Sequence, residues 1–310
     1  MTAAPDRSPQ AAAGGQPPRP TPGRELRALG RAAKKSLGQH FLRDRAAVAK
    51  IVAAADLGPE DTVVEVGPGL GVLTEALVQG AGRVIAVELD AELAAALRRK
   101  LGDRPNLEVV VGDILALQPA ALLQRPGEAG VPPYKVVANL PYYITSAVLR
   151  HFLEARPRPR LMVVMVQREV ARSMVAGPGE MGILAVSVQL YGRPRIVATV
   201  PPGSFYPPPK VESAVVRIDV APEPVVAIPD EETFFQVVRA GFSARRKQLH
   251  NTLAHGLGLP DSHARSLLAA VGIDPARRPQ TLTLEEWAAL ARGYAALRPA
   301  QDAGQEPSDG

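Results

Sequence analysis

The stretch Val63-Val64-Glu65-Val66-Gly67-Pro68-Gly69-Leu70-Gly71 constrains this chain more than any other. A β-branched run ends in glycines at alternate positions, and an apolar helical pattern begins directly after them. Strand, glycine turn and helix in that order bring backbone close to a nucleotide-like ligand at the carboxyl end of a strand in an open α/β sheet. Glycine is needed at such a turn because a side chain would strike the ligand or forbid the backbone angles.

The flanking sequence has the alternation that such a sheet requires. Strands are expected at Thr62–Val66, Arg83–Glu88, Leu107–Val111, Lys135–Asn139 and Arg160–Val166, with helices at Val72–Gln79, Ala91–Leu101, Ala116–Gln124 and Ser146–Ala155 between them. An earlier helix, capped by Asp44, carries Val48, Ile51, Val52 and Ala55 on one face. Two more strands, Arg195–Val200 and Ser213–Val220, are joined by the proline-rich loop Pro201–Lys210 with no crossover helix, so they are expected to pair antiparallel at the sheet edge. The fold class is therefore α/β: a Rossmann-like, mostly parallel, seven-stranded sheet covered by helices on both faces.

Past Pro222–Pro229 only helical patterns remain, at Glu231–Leu257, Asp261–Val271 and Leu284–Ala295, the last opened by a Thr283–Glu286 capping box. Residues 1–30 are rich in Ala, Pro, Gly and Arg and have no apolar periodicity to offset their ordering entropy. They contain no secretory h-region, and Asp6, Glu25 and the prolines oppose a transit peptide. The expected organisation is a disordered tail over 1–30, a Rossmann-like domain over 31–222, a small all-helical domain over 223–298 and a second disordered tail over 299–310.

Bulk composition narrows the chemistry. The chain has no cysteine, which excludes disulfides, cysteine-based zinc sites and thiol catalysis. No apolar run approaches membrane-spanning length, so a soluble protein with no membrane partner is expected. The formal charge of +5 allows an anionic partner.

The dinucleotide fingerprint needs glycine at its first, third and sixth positions, but the sixth position counted from Gly67 is Val72. This disfavours a nicotinamide-dependent dehydrogenase. An acid before the turn, Glu65, followed by Gly67, Gly69 and Gly71 instead resembles the first motif of S-adenosylmethionine-dependent methyltransferases. Glu88 ends the next strand, where a carboxylate can accept both ribose hydroxyls, unless it is only a surface acid. Asp113 follows the third strand and could accept from an adenine amino group or simply cap the next helix.

The chemistry is selected by Asn139-Leu140-Pro141-Tyr142 at the end of the fourth strand, beside the expected cleft. Elsewhere Asn and Pro would read as a turn. Here they suit methylation of an exocyclic amine, whose lone pair is delocalised into the base. Two acceptors aimed at its hydrogens, the Asn139 amide oxygen and a backbone carbonyl at Leu140 or Pro141, would turn that lone pair toward a methyl donor. Tyr142 supplies a face on which an extruded base can stack, and proline stiffens the backbone that carries the acceptors.

Five ordered motifs carry a resemblance. Lys35-Ser36-Leu37-Gly38-Gln39-His40-Phe41-Leu42, the Glu65–Gly71 turn, Asn139–Tyr142, the Phe205–Val216 stretch and Arg245-Arg246-Lys247-Gln248-Leu249 together resemble the bacterial 16S ribosomal RNA adenine dimethyltransferases, the enzymes associated with kasugamycin sensitivity. The match runs from about Lys34 to about Leu290. The resemblance implies S-adenosylmethionine as methyl donor and no metal. It implies N6 dimethylation of two adjacent adenosines in the 3′-terminal hairpin of small-subunit RNA, linked to ribosome biogenesis in the cytoplasm. His40, Leu42, Gly67, Gly69, Glu88, Asp113 and Asn139 would bind the cofactor. Phe205 would face Tyr142 across the target base, although it could also anchor the edge hairpin in the core. His40 stands where many relatives have Asn, and Gln280 where Glu is expected.

Two basic clusters, Lys34 with Lys35 and Arg245 with Arg246 and Lys247, suit phosphate contacts, the second on an expected helix. His250, His255 and His263 lack the carboxylate neighbours of a metal site and are expected on solvated helix faces, while Trp287 shares a helical face with Leu284 and Leu290 and is expected in the core. Rival readings are dimethylation of a 23S RNA adenine and a ribosome-assembly factor whose binding role dominates. A monomer is expected.

Overall fold

The structure is a computed structural model that describes residues 21–33, 39–125, 127, 130–244 and 246–302, with side chains as far as Leu297. The chain runs α1 (Pro22–Ala28), β1 (Phe41–Leu42), α2 (Arg45–Ala55), β2 (Thr62–Val66), α3 (Val72–Gly80), β3 (Arg83–Glu88), α4 (Ala91–Leu101), β4 (Leu107–Val111) and α5 (Pro119–Leu123). It continues through β5 (Tyr134–Asn139), α6 (Thr145–Leu153), β6 (Leu161–Gln167), α7 (Arg168–Val175), α8 (Ile183–Gln189), β7 (Gly192–Val200), β8 (Phe205–Tyr206) and β9 (Ser213–Val220). The helices α9 (Glu231–Gly241), α10 (Leu249–Leu257), α11 (Asp261–Ala270) and α12 (Leu284–Asp302) complete it.

The main sheet has seven strands in the order β4-β3-β2-β5-β6-β9-β7. β4, β3, β2, β5 and β6 are parallel, and β9 and β7 add antiparallel, as the absence of a crossover helix requires. Strand order reverses between β2 and β5, so the cleft opens at their carboxyl ends, where such sheets bind ligands. Successive residues of the central strands feed two apolar layers. Val163 and Met165 pack with α2 and α3 on one face, and Met162, Val164 and Val166 join the larger core on the other. Burial on both sides explains why β6 reads as an unbroken apolar run from Leu161 to Val166.

That larger core does not stop where the sequence changes character. It passes through Phe234, Val237, Leu249 and Trp287, so the helices after Ala221 pack on the sheet domain through shared apolar contacts. Arg158 reinforces the join. Its guanidinium lies 4.5 Å from the Tyr191 ring centroid and donates to Glu231 Oε1 at 2.8 Å, and Arg156 donates to the same oxygen at 2.6 Å. Trp287 is fully buried, with its ring centroid 5.2 Å from that of Phe242. Among the described residues no helix is long and apolar enough to cross a membrane.

At the amino ends of the strands, away from the cleft, lies a buried ionic knot. Lys135 Nζ donates to Asp61 Oδ2 at 2.7 Å, to the Ala55 carbonyl at 3.0 Å and to the Asp56 carbonyl, while Arg160 also engages Asp61.

Several expectations change. Residues 22–28 form helix α1, and buried Leu26 packs with Phe41, Leu70 and Leu93, so ordered structure starts before the tail expected over 1–30 ends. The remainder of that tail, residues 1–20, lies outside the described residues. At the other end α12 continues to Asp302, into the segment expected to be a disordered tail. The helix expected over Glu231–Leu257 is broken after Gly241 by a 3₁₀ turn, Phe242–Ala244. Gly241 packs so tightly on Trp287 that a Cβ there would lie 2.4 Å from the ring, and Gly256 approaches Ala240 as closely, so the two halves fold back on each other. Helices α7 and α8, between β6 and β7, were not anticipated. The capping box holds, with Thr283 N–H donating to Glu286 Oε2 at 2.8 Å and Glu286 N–H to Thr283 Oγ1 at 3.1 Å.

Candidate active site

The glycine turn between β2 and α3 needs its glycines. Gly67, Gly69 and Gly71 all have positive φ, at 67°, 56° and 78°. A Cβ at Gly71 would fall 2.4 Å from Leu97 Cδ1, and one at Gly69 would fall 3.1 Å from the Phe41 ring. Around Gly67 there is room instead: the nearest atom to a Cβ would be Pro141 Cδ at 3.9 Å, across the cleft. The missing side chain leaves that space to a ligand.

The cleft has a volume of ≈ 320 Å³ and is walled by the ends of β2, β3 and β5. Glu88, almost fully buried at the end of β3, accepts from Gly69 N–H and from Asp90 N–H, each at 3.0 Å. Burial raises its carboxyl above the ordinary range, and those backbone donors oppose the rise. Each oxygen keeps a further lone pair for a ribose hydroxyl. Glu65, one layer deeper, is 1% exposed and its Oε2 has no partner among the described residues. Burial pushes the Glu65 carboxyl up to about 8, with the Thr74 hydroxyl favouring ionisation and Glu88 opposing it. Asp113 also borders the cleft. One of its oxygens accepts from Leu115 N–H at 3.0 Å in a local turn, and it caps no helix, because the next one starts at Pro119 after Gln118; the other oxygen remains for a ligand.

On the β5 side the Asn139 amide nitrogen donates to the His40 carbonyl at 3.3 Å, which turns Oδ1 away from that carbonyl and leaves it without a partner among the described residues. Hydrogen bonding distinguishes the two backbone carbonyls beside Asn139. The Pro141 carbonyl is already occupied by Ile144 N–H at 3.2 Å and the Thr145 hydroxyl at 3.4 Å, whereas the Leu140 carbonyl has no donor among the described residues. Asn139 Oδ1 and Leu140 O are therefore the two free acceptors. Tyr142 is held from two sides: its hydroxyl pairs with buried Ser213 Oγ at 2.7 Å, and its ring lies 5.8 Å from the His40 ring at 30°. Burial raises the Tyr142 hydroxyl above its ordinary pKa, so it stays neutral.

His40 and Leu42 reach this site through the small β1–β8 pairing, which matches Phe41 with Tyr206 and Leu42 with Phe205. His40 Nδ1 lies 2.7 Å from the Pro207 carbonyl, and Ser204 Oγ donates to Asp44 at 2.7 Å. The N-terminal segment is thereby strapped across the cleft beside Asn139. Further upstream, Arg31 makes a bidentate pair with Asp90 at 2.6 and 2.7 Å.

Phe205 corrects an expectation. It does not face Tyr142 across the cleft; it is 2% exposed and packs in the second core with Leu42, Met165 and Val215. The β1 pairing draws it inward, so the anchoring role is the one the structure gives it. Of the basic residues, Arg246 and Lys247 are exposed and lie in a turn before α10, not on a helix. Lys34, Lys35 and Arg245 lie outside the described residues. His255 and His263 are exposed, but His250 is buried against Asp261, with Nδ1 2.5 Å from Oδ1. Ser213 was missed as a partner of Tyr142, because pairing of two hydroxyls 71 positions apart leaves no local signal.

Comparison with known proteins agrees with this geometry. The ribosomal RNA adenine dimethylase family profile matches residues 30–294. A ribosomal RNA small subunit methyltransferase A of Dehalococcoides mccartyi is 53% identical over 262 residues, covering 84% of this chain and 88% of its own. The protein of the same description from Moorella thermoacetica is 48% identical over 280 residues, covering 88% and 97%. Among solved structures, the 23S rRNA methyltransferase ErmE is similar with a TM-score of 0.63 and 31% identity, covering 82% of this chain and 98% of its own. A dimethyladenosine transferase from Plasmodium falciparum, 24% identical with a TM-score of 0.68, shares the fold over 83% and 98% of the two chains.

Proposed function

The chain belongs to the ribosomal RNA adenine dimethylase family, and from that premise we propose that it dimethylates N6 of two adjacent adenosines in the 3′-terminal hairpin of 16S ribosomal RNA, acting in the cytoplasm as a monomer. The observation that carries the reading is the pair of free acceptors, Asn139 Oδ1 and Leu140 O, set beside a tethered Tyr142 at the mouth of the cleft.

Gly67, Gly69, Glu88, Asp113 and His40–Leu42 would hold S-adenosylmethionine, which would supply the methyl group on an electrophilic sulfonium. The open space at Gly67 and the carboxylate of Glu88 suit a nucleoside with no pyrophosphate. Everything else is done by the protein's own dipoles. Tyr142 stacks on the extruded adenine, and its Ser213 tether keeps the ring from following the base. Asn139 Oδ1 and Leu140 O accept the two hydrogens of the amine and draw its nitrogen toward tetrahedral geometry. The lone pair leaves conjugation, attacks the methyl carbon, and the nitrogen–carbon bond forms as the sulfur–carbon bond breaks. The alkylated nitrogen is strongly acidic and loses one proton toward those acceptors and solvent. Losing one such preorganised acceptor is worth about 10²–10³ in rate.

Small-subunit RNA is favoured over large-subunit RNA by the higher identity to the small-subunit relatives, 53% against 31% for ErmE. Exposed Arg246 and Lys247 in the helical region, together with Lys34, Lys35 and Arg245, are proposed to contact RNA phosphates. The test is methyl transfer from labelled cofactor to undermethylated small subunits, large subunits and naked RNA. Label on small subunits supports the assignment; label on large subunits alone overturns it.

A further inference from the structure

Directly after the tethered Tyr142 stands a second tyrosine whose ring is bare. Tyr143 is 58% exposed, the most exposed large apolar or aromatic side chain among the described residues, and it borders the cleft. Its side chain makes no hydrogen bond and has no aromatic neighbour among those residues. The exposure does not come from a loose loop. Tyr142–Ile144 form a 3₁₀ turn closed by Ile144 N–H to the Pro141 carbonyl, and the next residue, Thr145, is buried with its hydroxyl on the same carbonyl. The turn therefore holds one ring inside the site and presents the other outward, one residue apart.

We propose that Tyr143 is a stacking platform for the nucleotide adjacent to the adenosine being methylated, a role that rests on the function proposed above. Extruding a base strips its neighbour of a stacking partner, and an aromatic face at the cleft mouth replaces it. Stacking reads only a π-face and makes no demand on hydrogen-bonding edges. It therefore accepts an adenosine before or after methylation, which is what a substrate with two adjacent targets needs. While the first adenosine occupies the site the second rests on Tyr143, and the two then exchange.

The experiment uses the full chain and an RNA hairpin with two adjacent adenosines, one replaced by fluorescent 2-aminopurine. Tyr143→Ala and Tyr143→Phe are compared with wild type for RNA affinity and quenching, and for binding of S-adenosylhomocysteine by calorimetry. Tyr143→Ala is expected to weaken RNA binding roughly tenfold to a hundredfold and to relieve quenching. It should also raise the KM for small subunits but not that for the cofactor. Tyr143→Phe should behave as wild type. RNA affinity and quenching unchanged in Tyr143→Ala would overturn the inference, as would an equal loss of S-adenosylhomocysteine binding, which would place the ring in the cofactor site. The proposed function fails separately, if wild type leaves small subunits unmethylated.

Discussion

The Asn139 amide donates to the backbone carbonyl of His40 across 3.3 Å, and this hydrogen bond leaves the amide oxygen as the end free to accept at the cleft. A strap residue almost a hundred positions upstream thus sets the polarity of a residue at the end of β5. The acceptor proposed for catalysis is oriented by His40, which lines the same cleft.

Replacing Asn139 removes an acceptor without opening the core, because the residue lies at the strand end in the cleft. Asn139→Ala is expected to lower the single-turnover rate on small subunits by about 10²–10³. S-adenosylhomocysteine binding measured by calorimetry should change far less.

The Tyr142–Ser213 hydrogen bond should act as a positioning device. Tyr142→Phe keeps the stacking face and Ser213→Ala keeps the strand, yet each loses the same 2.7 Å bond. In a double-mutant cycle on kcat/KM the effects should overlap, with a coupling of about 1 kcal/mol. Additive losses would separate the two residues.

Glu65 makes stability fall as pH rises from the acid range to about 8. Its carboxyl is protonated in the fold up to about pH 8 and ionises near its ordinary 4.5 when unfolded. Between those values the folded state binds the extra proton, so stability declines as pH rises through that window. Glu65→Gln should remove the decline and stabilise the protein at pH 8 by an amount on the order of 3 kcal/mol. Urea denaturation at pH 5.5 and pH 8 measures the difference.

Asp61 gives the opposite slope. Burial would raise its carboxyl, but hydrogen bonds from Lys135 Nζ and Gly58 N–H, with Arg160 adjacent, outweigh it and hold the group below the usual carboxylate range. That stabilisation is present above the unfolded value and is lost as pH falls through the folded one. Lys135→Ala leaves the buried Asp61 carboxylate with Arg160 and Gly58 N–H as its remaining partners and should cost about 1–3 kcal/mol in denaturant melts at neutral pH. Activity at low temperature should persist, since the knot lies at the end of the sheet opposite the cleft.

The parallel sheet and its cleft were legible because buried strands write themselves as apolar runs and Gly67–Gly71 announces the turn. The place of Asn139, Leu140 and Tyr142 at the cleft was legible because one tetrapeptide ends the central strand β5. What the sequence hid is long-range. The inward turn of Phe205 depends on pairing with Leu42, 163 positions away, and nothing in its proline-rich neighbourhood signals that strand. The break after Gly241 depends on Trp287, another distant partner. His250 reads as a surface residue until α11 brings Asp261 against it. In α1, seven residues in a Pro- and Arg-rich segment are held by distant partners, with Leu26 docked on Phe41 and Leu70 and Glu25 paired with Lys100.

The central claim is that Asn139 Oδ1 and Leu140 O together hold an adenine amine for two successive methylations. After the first transfer the amine keeps one hydrogen, so one acceptor loses its partner and the second transfer should be slower. A single-turnover time course on undermethylated small subunits, read by nucleoside mass spectrometry, tests this directly. The account predicts N6-monomethyladenosine rising first and N6,N6-dimethyladenosine following more slowly at two adjacent positions of the 3′-terminal hairpin. Equal rate constants for the two transfers, or methylation elsewhere than adenine N6, would contradict it.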